Sequence, residues 1–144
     1  MNRTGPFWDA VEGRRPIPRA AATLGAEVVV YDEVAVRIEM AFVATEDFTN
    51  PMGEVLGGFL AAMLFDTVGP ALLASLGPDE FQETLDLTCS FLRPTRPGRI
   101  VGTGRVVARV DDFAFLDATL TDADGVTVAT GTATARVIPL DARG

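Results

Sequence analysis

The chain has 144 residues, 48% of them hydrophobic, and a net charge of −8, which is enough apolar material for one domain with one core. The acidic balance argues against nucleic acid as a partner, because phosphate binding needs a basic surface, and it disfavours anionic membranes. Histidine and lysine are absent and all 12 basic residues are arginine, which excludes histidine acid–base catalysis, lysine Schiff bases and any histidine-containing metal site.

In chain order, residues 7–13 (FWDAVEG) predict a short helix ended by Gly13, and Pro16 and Pro18 predict an extended lead-in through about residue 20. A first strand is expected over about 22–31. It should turn at Asp32-Glu33 into a strand over 33–42, with Val34, Val36, Ile38, Met40 and Phe42 on one face. Residues 44–56 read as a loop with Asn50-Pro51 and Gly53 as turn signals. From Gly57 the run FLAAMLFDTV is apolar on nearly all sides, the mark of a helix buried over most of its surface. Gly69-Pro70 should kink or interrupt that helix, which should end near Gly77-Pro78.

Four strands follow. In residues 83–92, Leu85, Leu87, Cys89 and Phe91 share one face, and Thr84, Asp86, Thr88 and Ser90 the other. After the turn RPTRPG comes a long strand over 99–110 with Arg99, Arg105 and Arg109 on one side. Asp111-Asp112 leads into 113–122, and Asp124-Gly125 is a hairpin turn. The last strand, 126–138, carries Ala129, Gly131, Ala133 and Ala135 as a small-residue face on which a helix can pack closely. The order ββ, helix, ββββ predicts an α+β fold with a curved six-stranded antiparallel sheet wrapped around one helix.

The residues limit the chemistry. The serines, Ser75 and Ser90, lie outside any G-x-S-x-G elbow, so hydrolysis would have to use carboxylates, amides, hydroxyls, Cys89 or backbone dipoles. Cys89, the lone cysteine, forms no internal disulfide and reads as a small core residue. Its presence suits a reducing cytoplasm. The N-terminal residues lack an apolar h-region, so no signal peptide is expected, and no apolar run reaches the length of a membrane span. Asp66, a carboxylate in an apolar helix, should have a raised pKa and could act as a base or simply bond a neighbouring backbone group. Glu54 is the alternative carboxylate, in the loop before the helix.

Taken together, several segments resemble the hotdog-fold acyl-CoA thioesterases of the PaaI / 4-hydroxybenzoyl-CoA thioesterase type. They are the aromatic N-terminal helix, Pro16-x-Pro18, Leu24-Gly25, the loop Asn50-Pro51-Met52-Gly53 with Gly57-Gly58, FLRPTRPG, and the ending DADGVTVATGTATARV. The resemblance covers almost all of the chain and implies a single hotdog domain over 1–144. It also implies hydrolysis of a coenzyme A thioester to free acid and CoA, with no cofactor beyond the CoA of the substrate and no metal. The implied assembly is a homodimer, and then a dimer of dimers, with sites between subunits.

Residue by residue, the resemblance makes Asn50 the amide that positions water or the acyl group. Gly57, with Gly58, becomes the helix-start backbone that polarises the thioester carbonyl, and Thr84 the assisting hydroxyl. Arg93 and Arg96, with Arg99, become candidates for the phosphates of CoA. Two positions depart from the pattern. The family loop commonly reads N-x-x-G-x-x-H-G-G, with a carboxylate eight residues after the first paired glycine; here Leu56 replaces the polar residue and Phe65 the carboxylate. Asp66 stands one step later, turned by about 100°. The second reading is therefore a non-catalytic binder of acyl-CoA or another hydrophobic small molecule, its pocket enlarged by Leu56 and Phe65.

Overall fold

The structure, a computed structural model, describes residues 3–143. Its elements are α1 (Pro6–Val11), α2 (Arg19–Thr23), β1 (Glu27–Asp32), β2 (Arg37–Ala44), α3 (Gly57–Leu73), β3 (Glu80–Phe91), β4 (Gly98–Val110), β5 (Phe113–Thr121) and β6 (Thr127–Pro139), with short 3-10 turns at Glu46–Phe48 and Leu140–Arg143. The six strands form one antiparallel sheet in the order β1-β2-β4-β5-β6-β3. The sheet curves around α3, the long central helix of a hotdog fold. No helix among the described residues is long and apolar enough to cross a membrane.

The core lies between α3 and the concave face of the sheet. Met63, Leu64, Val68, Ala71 and Leu72 of α3 are fully buried against Ile38, Phe42, Ile100, Leu116 and Leu120. Closeness comes from small residues on two strands. On β6, Ala129, Gly131, Ala133 and Ala135 are buried, as their spacing predicts. On β4, Gly102 and Gly104 lie directly beneath Thr67, and a Cβ on Gly104 would sit 2.8 Å from the Thr67 carbonyl oxygen. Helix backbone and strand backbone are therefore nearly in contact at this point.

Several expectations need correction. The lead-in is not extended throughout: Pro18 is the N-cap of α2, and Ala20–Ala22 are strong helix formers. Gly25, at φ +63°, ends α2, so β1 begins at Glu27 rather than near residue 22. The β1–β2 turn is longer than two residues. Asp32 Oδ1 accepts hydrogen bonds from the Val34 and Ala35 N–H groups, which holds residues 33–36 out of the sheet and leaves Val34 in solvent. Ile38, Met40 and Phe42 do face the core.

Gly69-Pro70 does not interrupt α3, and the helix ends at Leu73 with Ala74 as its C-cap, short of Gly77. Pro70 has no N–H to give the Asp66 carbonyl one turn earlier, so that carbonyl lacks its helical partner. Two bulges change which side chains share a face. One, between Thr84 and Asp86, leaves Leu85 exposed and keeps Thr84 on the side of Gln82. The other, between Val106 and Ala108, sets Arg109 opposite buried Ala114 and so separates it from Arg105, which pairs with Asp117 at 3.0 Å.

Candidate active site

The loop before α3 is held by its own backbone. Asn50 Oδ1 accepts from Met52 N–H at 2.9 Å and Glu54 N–H at 3.1 Å, and Asn50 N–H donates to the Glu54 carbonyl at 2.7 Å. Gly53, at φ +75°, supplies the left-handed residue that this turn requires. The side-chain oxygen of Asn50 is thus spent on the loop, which leaves its amide NH2 for other partners. Leu56 N–H donates to the Phe48 carbonyl, Val55 N–H to the Thr95 carbonyl, and the Phe48 ring stacks on Phe59 at 4.1 Å. The helix start is therefore fixed from three sides.

Leu56 is the N-cap of α3, and no side chain caps the helix there. The Gly57 and Gly58 N–H groups belong to the first turn and have no carbonyl partner within the helix. They carry the positive end of the helix dipole. Gly57 opens on a cavity of about 310 Å³ that Val55, Leu60, Phe91, Arg93 and Thr95 also line. The Phe91 ring stands 3.4 Å from where a Gly57 Cβ would be. Arg93 thus joins the helix start. Arg96 lies over the loop instead, its Nη1 at 3.4 Å from the position of a Gly53 Cβ. Arg99 pairs instead with Glu27 of β1 at 3.6 Å.

Farther along α3, Phe65 and Asp66 differ in exposure but line the same two cavities. Phe65 is 49% exposed and shares the uncovered stripe of the helix with Gly58. Asp66 turns inward, toward a cavity of about 390 Å³ between α3 and the N-terminal segment. Its Oδ2 is buried without a hydrogen-bond partner, the only such side-chain atom among the described residues. Burial pushes its carboxyl up to about 6. Gln82, which the sequence reading did not single out, is buried on the same cavity wall and accepts a 3.2 Å hydrogen bond from Thr84 Oγ1. A Gln among the alternating residues of β3 was the available signal. Burial also pushes the Cys89 thiol up, which makes it a poor nucleophile.

The predicted residues therefore form two groups. Asn50, Glu54, Leu56, Gly57, Arg93 and Arg96 gather at the start of α3, and Gly58 joins the two groups by lining a cavity with Phe65 and Asp66. Phe65, Asp66 and, through Gln82, Thr84 gather farther down. Asp66 lies nine positions beyond Gly57 on the helix, about 13.5 Å along the axis. One reacting atom cannot lie about 3 Å from both within a single chain.

A curved antiparallel sheet wrapped on one helix, with a bare helix start and a carboxylate farther down, defines the hotdog class. Residues 45–136 match the family model described as the acyl-CoA thioesterase N-terminal domain, and the chain belongs to this acyl-CoA thioesterase family. It is 38% identical to a phenylacetic acid degradation-related protein from Ralstonia eutropha JMP134, over 90% of this chain and 98% of that one, with a TM-score of 0.87. The fold is also that of the E. coli PaaI protein of the phenylacetic acid degradation operon, with TM-score 0.80, 19% identity and coverage of 92% and 93%. A thioesterase from Haemophilus influenzae gives TM-score 0.81 and 19% identity, over 95% and 93%. A search of curated proteins finds no match.

Proposed function

We propose that this protein hydrolyses a coenzyme A thioester to the free acid and CoA, at sites that two copies of the chain build together. The observation that carries the reading is the start of α3: the Gly57 and Gly58 N–H groups, without helical partners at the positive end of the helix, with Gly57 open to a cavity. Such donors stabilise the oxyanion that forms when water attacks a thioester carbonyl. Asp66 supplies the base, and its desolvation sets the carboxyl at about 6, near the range a general base needs. Asn50 orients water or the acyl group through its amide NH2. Arg93, beside the helix start, and Arg96 meet the CoA phosphates.

The axial separation of Gly57 and Asp66 argues that the base comes from a second copy. The long outer edge of β3, 12 residues, supports pairing between copies, since an unpaired edge of this length is ordinarily covered. Leu85 at its bulge and Phe91 at its end are both about half exposed. A dimer, or a dimer of dimers, is the expected mass by light scattering at micromolar concentration; a monomer would contradict the shared site. We place the protein in the cytoplasm, in line with its lone free cysteine.

Leu56 and Phe65, both about half exposed, favour a second reading, a binder of acyl-CoA without turnover. Phe65→Asp separates the two. It puts a carboxylate on the open stripe of α3 and should raise thiol release from acyl-CoA severalfold or more, because a positioned base contributes about 10²–10⁴-fold when fully engaged. A folded variant with no gain would count against this placement of the family carboxylate.

A further inference from the structure

The cavity under the N-terminal segment adjoins a second one that reaches Gly58 at the helix start, the two sharing Phe65 and Asp66. α1 and α2 close it from one side, β1 and β2 from another, and the second half of α3 forms its base. Phe7, Val11, Ile17, Met40, Pro70 and Leu73 give it apolar walls. α1 is anchored there: Trp8 is 2% exposed, and its indole N–H donates to the Ala74 carbonyl at 3.3 Å. The cavity is about 390 Å³, within the range of small-molecule sites.

Its polar groups lean one way. Asp66 presents a carboxylate with one buried oxygen lacking any partner. The Asp66 main-chain carbonyl is freed by Pro70 at the cavity wall. Glu27 adds a second carboxylate, partly satisfied by Arg99 at 3.6 Å. Gln82 is the one side-chain donor, and no arginine lines the space among the described residues. A native interior seldom leaves such an acceptor unpaired without a reason.

We propose that this cavity binds a small molecule with an apolar body ending in a protonated amine, the ammonium meeting the Asp66 carboxylate. An ammonium at the cavity-facing side of the carboxylate supplies the opposite charge that Asp66 lacks, while the body replaces water against Phe7, Ile17 and Leu73. The site shares Asp66 with the proposed hydrolysis, but its test is independent of that reading, because binding is read without CoA and without turnover.

The test is calorimetric titration of the full chain with phenylpropylamine, propylbenzene and phenylpropanoate, which share one apolar body. At about pH 8 the amine should bind about ten-fold or more tighter than propylbenzene, the range of a hydrogen bond to a charged group, and phenylpropanoate should not bind. Asp66→Asn should remove the preference for the amine, and so should lowering the pH below about 6, where Asp66 is protonated. Glu27, the other titratable group on the walls, is solvent-exposed and paired, so Glu27→Gln should leave most of the preference. Ala21→Phe, which fills the cavity from α2, should abolish binding of every probe. Failure of all three molecules to bind, equal affinities, or a preference for the amine that survives Asp66→Asn would overturn the proposal.

Discussion

Asp66→Asn should lose about 10²–10⁴-fold in thiol release, the usual contribution of a positioned general base, and at the same time should stabilise the protein above pH 6. The two effects have one cause. The carboxyl has been moved from 3.8 to about 6 by burial, so the folded state holds its proton more tightly than the unfolded state does. Ionising it in the folded state carries a cost that is absent below about pH 4 and fully present above about pH 6. The shift of about two units corresponds to ~3 kcal/mol. Wild-type stability should therefore fall as pH rises through that window, and Asp66→Asn should be flat across it. Urea midpoints at pH 4 to 8, beside thiol release over the same range, check both halves. Wild-type activity should rise through about pH 6 as the base ionises. A variant that keeps its activity, or that is less stable than wild type at about pH 8, would contradict the role given to this carboxylate.

Gly104→Val should unfold the protein or come close to it. At Gly104 a Cβ would lie 2.8 Å from the Thr67 carbonyl oxygen and 2.9 Å from Thr67 Cγ2. Thr67 cannot swing away, because it is fully buried and its Oγ1 donates to the Met63 carbonyl at 2.7 Å. The helix itself would have to lift, and the neighbouring Gly102 would meet Thr67 Oγ1, Phe42 and Leu120 in the same way. Overpacking of this kind costs about 1–3 kcal/mol and more where backbone must move, against a total stability of about 5–15 kcal/mol. Gly58→Ala is the control. There a Cβ meets only Leu56 Cδ2, at 3.9 Å, and alanine favours the helix by up to ~1 kcal/mol. Chemical denaturation of the two variants should move in opposite directions. A wild-type midpoint for Gly104→Val would contradict the close approach of α3 to β4.

The fold was largely legible because its signals are periodic and local. The alternation of Ile38, Met40 and Phe42, the small residues Ala129 to Ala135, and the run from Gly57 each name an element and its buried face. What escaped were features set by tertiary contact. The bulges at Leu85 and Val107 shift the period by one residue, and no local residue pattern announces them. Pro70 signals a break because it lacks an N–H, yet burial of Thr67 to Leu72 around it holds the helix together. Gly102 and Gly104 were visible as a G-x-G on β4, but only Thr67 overhead gives them meaning. At the site, the loop and the helix start were readable from Asn50, Gly53 and Gly57, since turns and helix starts draw on short stretches of chain. The burial of Asp66 and the presence of Gln82 on the same cavity wall depend on residues from α1 to β3 meeting in space.

The most direct measurement is activity in mixed dimers. Gly57→Pro removes the proposed donor while keeping the helix, because proline is accepted at the first helical position and Leu56, at ψ 136°, already has the extended conformation that precedes a proline. Alone, Gly57→Pro should lose about 10²–10³-fold in thiol release, and Asp66→Asn should also be nearly inactive. Unfolded together and refolded at equal amounts, the two variants should recover about a quarter of wild-type activity, because half the dimers are hybrids and each holds one intact site. No recovery, with hybrids shown to form, would contradict a site shared between two copies of this chain.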